Sequence, residues 1–291
     1  MRLEPHEAGG RTVPWRLLLG GGDPDALAAA GPWNMAVDDA LLASAAAGGP
    51  PTLRFYRWNP ACVSVGRNQP IRGVIAPGET ERRGWQLVRR PTGGLAVLHA
   101  REITYSVAAG MDVLGRPRAA YLAISAALAE GLRDLGVDAN VASAAHAPPG
   151  PGRGPGYLST GEPSCFADAT PGEVTASGRK ILGSAQRRAG GTLLQHGSLL
   201  LAGSQDPVGG LLGSGGAGAA PPPGAGRGSA TTVRAELDRL PADARIVEAL
   251  AGAFARRIAR ALSPAGLSAG ELALAEERAV TYSSEAWTWR R

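Results

Sequence analysis

Val174-Thr175-Ala176 alternates as a short strand, Ser177-Gly178 is a turn, and Arg179 to Gln186 alternates again as the returning strand. The chain is committed to a sheet here. Period-two alternation sets Lys180, Leu182, Ser184 and Gln186 on one face, and Ile181, Gly183 and Ala185 on the other. Gly183 leaves its backbone open to close approach. Lys180 is the one lysine among 30 basic residues. Where Arg serves at every other basic position, the survivor marks a place that needs a compact ammonium on a flexible stem. Cys165 lies fifteen residues upstream on a loop, so thiol and ammonium can converge. An adjacent ammonium stabilises the thiolate, which is the nucleophilic form. The plainer reading makes Cys165 a small buried hydrophobe and Lys180 a solvated charge.

A chain of 291 residues can bury a full core, in one large domain or one with a small appendage. Its two cysteines, Cys62 and Cys165, are far apart and give neither metal-ligand spacing nor a disulfide scaffold, which fits a reducing cytosol. There is no apolar leader and no apolar run of membrane-spanning length, so a cytoplasmic protein is expected. The net charge of +5 comes from basic residues scattered in ones and twes without interleaved aromatics. That pattern argues against nucleic acid and suits a basic enzyme meeting acidic protein partners.

Along the chain, residues 1–14 read as a loose arm and Trp15 to Leu19 as a first strand. Asn34 is placed to cap a helix through Val37, Asp38, Leu41 and Leu42. Leu53 to Trp58 and Cys62 to Val65 read as strands, with Cys62 structural. Residues 85–106 read as strand, glycine turn, strand, short break, strand. Within them Arg89 and Arg90 flank Gly93 and Gly94, whose unshielded N–H groups suit a phosphate or carbonyl, although Gly-Gly also makes an ordinary hairpin. His99, taken alone, reads as a core residue. Residues 119–135 form a helix with Ile124, Leu128, Leu132 and Leu135 on one face. Residues 145–162 are a loop leading to Cys165, and 203–230 a second Gly/Ala/Pro-rich loop. Ile246, Leu250, Phe254, Ile258 and Leu262 repeat at helical spacing, and Ser268 to Glu271 is a capping box for a last helix.

Cys165-Phe166, the Gly178-Arg-Lys-Ile-Leu-Gly-Ser-Ala-Gln186 run, Leu194-Gln-His-Gly-Ser198 and the Arg89-Arg90-x-x-Gly93-Gly94-x-Ala-Val-x-His99 loop together resemble the lipoate–biotin protein ligase superfamily. They are most similar to its cysteine-dependent octanoyltransferases, and the likeness spans most of residues 33 to 289. It implies an α+β fold: a mixed sheet flanked by helices as the catalytic domain over 15–202, then the 203–230 loop and a small helical C-terminal part over 231–291. It also implies that Cys165 and Lys180 are catalytic and that Arg89, Arg90, Gly93, Gly94, His99 and Ser184 bind substrate. Octanoyl would pass from acyl carrier protein through a Cys165 acyl-enzyme to a lysine of a lipoyl-accepting protein, such as a glycine cleavage H protein or a dehydrogenase acyltransferase subunit. No ATP, metal or other cofactor is required on this reading. Leu95 and Ala100 depart from the family pattern, which has Gly or Arg at the first position and Asp at the second. An ATP-dependent ligase, an amidotransferase between lipoyl-domain proteins and a non-catalytic binding module are the alternatives.

Overall fold

The computed structural model describes residues 13–21, 27–143, 166, 170–212, 230–259 and 261–291. The chain starts with β1 (Trp15–Leu19), β2 (Ala28–Ala29), α1 (Gly31–Ala46), β3 (Thr52–Trp58), β4 (Cys62–Val65) and α2 (Glu79–Arg82). Next come β5 (Gln86–Arg89), β6 (Val97–His99), β7 (Glu102–Gly110), α3 (Met111–Leu114), α4 (Pro117–Asp134) and β8 (Ala139–Val141). Then follow β9 (Val174–Ala176), β10 (Arg179–Ala189), β11 (Thr192–Leu200), α5 (Asp206–Leu212) and α6 (Val233–Glu236). The last elements are α7 (Asp243–Phe254), β12 (Leu262–Pro264), α8 (Ala269–Ser283) and α9 (Glu285–Thr288).

The large sheet has the order β12-β1-β3-β7-β11-β10-β9-β8, with β2 beside β3. β1 is parallel to both its neighbours, and from β3 to β8 every pairing is antiparallel. One face, carrying Phe55, Tyr105, Val107 and Leu199, packs on Ile124, Leu128 and Leu132 of α4 and on Ile246, Leu250 and Phe254 of α7. The other face is divided. Ala108 and Leu194 meet Val37 and Leu41 of α1, with α8 alongside, whereas Thr104, Ser106, His196 and Ser198 present buried polar groups. A small sheet in the order β5-β4-β6 covers this polar half. The mixed sheet flanked by helices is thus the α+β architecture that the resemblance implies.

Three expectations are corrected. Helix α1 begins at Gly31, so Asn34 is no cap; it is buried, and Nδ2 donates to the Ala29 and Arg57 carbonyls. The stretch read as a loop from 203 carries α5, because Val208, Leu211 and Leu212 share a helical face that packs on Val63, Val65 and Ile71. The run from Ile246 does not stay helical to Leu262, which lies in β12 beside Trp15. Within the C-terminal part, β12 joins the sheet beside the helices α7, α8 and α9. The loop read at 145–162 lies outside the described residues. No helix among the described residues is long and apolar enough to cross a membrane.

Candidate functional site

Ser177 and Gly178, at φ of 50° and 73°, make the tight turn between β9 and β10. A β-bulge between Lys180 and Leu182 then shifts the register. Strict alternation would put Lys180 opposite Gly183, but the bulge brings both to the same side. A Cβ on Gly183 would lie 3.1 Å from Lys180 Cε and 3.2 Å from Phe166 Cζ. The missing side chain is therefore the space that Lys180 and Phe166 occupy. Lys180 is only 1% exposed, which removes the reading of it as a solvated charge. Its Nζ is 2.6 Å from Glu173 Oε1 and 5.1 Å from the centre of the Phe166 ring. A buried ammonium is tolerable because it is paired, and Glu173 is the partner. Glu173 Oε2 also accepts the Thr170 amide at 2.8 Å. Cys165 lies outside the described residues. Phe166, which follows it in sequence, is buried against Val97 and Leu200.

Gly183 borders a pocket between the two sheets, lined also by Trp58, Ser64, Arg90, His99, His196 and Ser198. Its free space is about 30 Å³, room for about one water. On the small-sheet side, His99 Nδ1 donates to Glu102 Oε1 at 2.8 Å, leaving Nε2 to accept from Ser64 Oγ at 2.7 Å. Arg90 Nη1 donates to the same Oγ at 3.1 Å, and the His99 ring stacks on Trp58 at 3.9 Å. Arg90 also gathers the glycine loop: Nη2 donates to the Gly93 and Leu95 carbonyls at 2.7 and 2.8 Å. Gly94 takes φ 91°, and its carbonyl sits where any side chain on Gly66 would be.

On the large-sheet side, the Asp38 carboxylate of α1 accepts four hydrogen bonds. Arg54 Nη1 and Ser106 Oγ reach Oδ1 at 2.7 and 2.8 Å, and the Tyr56 hydroxyl and His196 Nδ1 reach Oδ2 at 2.8 and 2.9 Å. Burial pushes the Asp38 carboxyl up, but the Arg54 guanidinium and the His196 and Ser106 hydrogen bonds outweigh it and hold the group below its ordinary value. Burial pushes His196 down, against the pull of Asp38. The neutral imidazole then accepts the Thr92 hydroxyl at Nε2, 2.6 Å away, which fastens the loop beside Gly93.

The structure thus sets Arg90 and His99 in the lining of one pocket, with Lys180 packed against Gly183 of that lining and the Gly93-Gly94 loop held to Arg90. Two other expected binding residues point elsewhere. Arg89 donates to the Gly66, Gln69 and Thr288 carbonyls, so it ties the β4 turn to the chain's last helix. The Ser184 hydroxyl is 2.8 Å from that of Tyr105 on the helix-covered face, although the residue borders the cavity. Glu173, Asp38 and His196 are site residues that sequence reasoning did not single out. Asp38 and His196 stood within quoted motifs, whereas Glu173 offered no pattern. Cys62 is fully buried, and burial pushes its thiol well up, as a structural cysteine requires. Among the described residues no group of three or more His, Cys, Asp or Glu could hold a metal ion.

The lipoyl protein ligase A/B catalytic domain family matches residues 31–255. The chain is 38% identical over 290 residues to octanoyltransferase LipM of Moorella thermoacetica, covering 95% of this chain and 98% of that protein. It is 35% identical to octanoyltransferase LipM of Kyrpidia tusciae, covering 95% and 99%. Among solved structures, lipoate-protein ligase A bound with ATP superposes with a TM-score of 0.72 at 24% identity, covering 95% of this chain and 98% of that one. The bi-partite lipoate protein ligase of Thermoplasma acidophilum gives 0.69 at 23% identity, covering 95% and 96%. These two likenesses speak for the fold alone.

Proposed function

The chain belongs to the lipoyl protein ligase A/B catalytic domain family, and from that premise we propose that it carries octanoyl as a thioester on Cys165. It is an octanoyltransferase of lipoate biosynthesis, an acyltransferase like the relatives it matches over nearly its whole length. The donor is octanoyl on an acyl carrier protein, and the acceptor is a lysine of a lipoyl-accepting protein. The Cys165 thiolate attacks the donor carbonyl, the new C–S bond forms, and the carrier's thiol leaves with a proton. The acceptor amine then attacks the acyl-enzyme, forms the amide and loses a proton, which returns Cys165 to its starting state. Such a thiol has to stay reduced, which suits a cytoplasmic enzyme.

The observation that carries this reading is the burial of the chain's one lysine beside Phe166, the residue after Cys165. A free thiol has a pKa of about 8.5, and bringing it to about 7 takes roughly 2 kcal/mol of differential stabilisation. An ammonium held in place can supply that, and once the thiolate is consumed it can hold the developing oxyanion. Glu173 Oε1, 2.6 Å from Nζ, fixes the position of Lys180. Intact-mass spectrometry after mixing with octanoyl carrier protein, without nucleotide, is the test. The expected result is one octanoyl adduct, labile to hydroxylamine, kept in Cys62→Ser and lost in Cys165→Ser. An adduct on Cys62, or full transfer by Cys165→Ser, overturns the reading.

A further inference from the structure

The turn after β4 and the end of the chain meet in a group of arginines. Arg290 Nη2 donates to the Arg67 carbonyl at 2.6 Å, and the two guanidinium groups stand 3.8 and 5.6 Å from the Trp287 ring. The Ile71 and Arg72 amides donate to the Arg291 carbonyl at 3.1 and 3.2 Å, and Arg72 Nε donates to that of Trp289. Arg89 is buried beneath them. Arg72 and Arg291 are exposed, while Arg67 and Arg290 are half-buried.

Some surface arginines elsewhere are paired, Arg82 and Arg83 with Glu79, Arg256 and Arg257 with Glu130. Arg67, Arg72, Arg290 and Arg291 have no carboxylate within ion-pair distance among the described residues. Their repulsion is felt within the group. Arg290 is pulled below its ordinary value by burial, then by Arg67 and Arg291, and Arg89 to about 10 by burial, then by Arg290, Arg291 and Arg90. Like charges gathered in one place raise the local positive potential. The group adjoins the cavity: the Arg67 amide donates to the Thr92 carbonyl at 2.7 Å, and the Thr92 hydroxyl bonds cavity-lining His196.

We propose that Arg67, Arg72, Arg290 and Arg291 form the docking surface for the acidic face of the octanoyl carrier protein, setting its acyl arm at the cavity. The proposal rests on the octanoyl-transfer reading and adds where its donor binds. Guanidinium forks meet carboxylates in bidentate pairs, and charges at the edge of an interface govern encounter and salt dependence.

Two donors separate docking from chemistry: octanoyl carrier protein, and octanoyl-pantetheine, which has no acidic protein face. In the full chain, Arg72→Glu with Arg291→Glu should raise KM for the carrier substrate about tenfold with kcat kept. Both constants for octanoyl-pantetheine should stay unchanged. Added NaCl should raise the wild-type KM for the carrier and affect the variant less. Arg239→Glu, an exposed arginine outside the group, should be silent. An unchanged carrier KM, or an equal loss with both donors, overturns the proposal. Binding of ATP or an oligonucleotide that the variant loses while its carrier KM is unchanged assigns the surface to phosphate and also overturns it. If the wild type transfers from neither donor, the octanoyl-transfer reading fails. Salt-sensitive carrier binding by fluorescence anisotropy, weakened in the variant, still reads the docking surface by itself.

Discussion

At the scale of single residues, the weight falls on Lys180 and on what surrounds it. Its ammonium fits a closed space bounded by Glu173, Phe166 and the bare backbone of Gly183. A guanidinium is larger, planar and unable to give up a proton near neutral pH. Lys180→Arg is therefore expected to lower octanoyl transfer by about 10²–10³-fold, the usual cost of losing one oxyanion donor. Lys180→Ala should also raise the pH midpoint for alkylation of Cys165 by iodoacetamide, since the cation that favours the thiolate is gone. Near-wild-type turnover of Lys180→Arg would remove the lysine from the mechanism. The sequence pointed to Lys180 because no other lysine competes with it. It could not point to Glu173, one of 25 acidic residues with no spacing that ties it to Lys180. The pairing comes from the fold of the segment before β9, a contact that local pattern does not encode.

At the scale of elements, strands were legible where alternation was regular, as in β3, β4 and β7. They were misread where register breaks. The bulge in β10 turns Lys180 to the side of Gly183, and a period-two rule has no place for an extra residue. Helix α5 was hidden because glycine and proline dominate the composition around its three buried apolar side chains. Glycine inside helix α4 illustrates how packing overrides local preference. Gly131 is a poor helix former, and Ala there would by propensity stabilise by about 1 kcal/mol. Yet its Cβ would lie 2.7 Å from Leu250 Cα and 2.9 Å from the Ala249 carbonyl oxygen of α7, neither of which can swing aside. Gly131→Ala is expected to destabilise the protein by about 1–3 kcal/mol, read as a lower denaturant midpoint with an unchanged slope. A rise in the midpoint would mean that α7 yields at this crossing.

At the scale of the whole molecule, the C-terminal segment is bound into the body of the fold. Arg16 of β1 makes two parallel hydrogen bonds to the Glu271 carboxylate of α8, Nη1 to Oε2 at 2.8 Å and Nη2 to Oε1. Burial pushes the Glu271 carboxyl up, but Arg16, the Ser44 hydroxyl and the Ser268 amide outweigh it and bring the group to about 2. A carboxylate depressed on folding contributes stability above its unfolded value, about 4.3, and loses it as pH falls through the folded value. Acid unfolding should therefore steepen between about pH 4 and pH 2, and Glu271→Gln should flatten that part of a stability-against-pH curve. An unchanged curve would show that other carboxylates set the acid limit. The pairing of β12 with β1 has a consequence for synthesis. A ribosome makes β1 first, yet the outer edge of that strand stays bare until Pro264 has emerged, and bare edges invite pairing with other chains. Nascent chains halted before Leu262 are expected to pellet with one another, and addition of the 262–291 segment in trans to keep them in the supernatant.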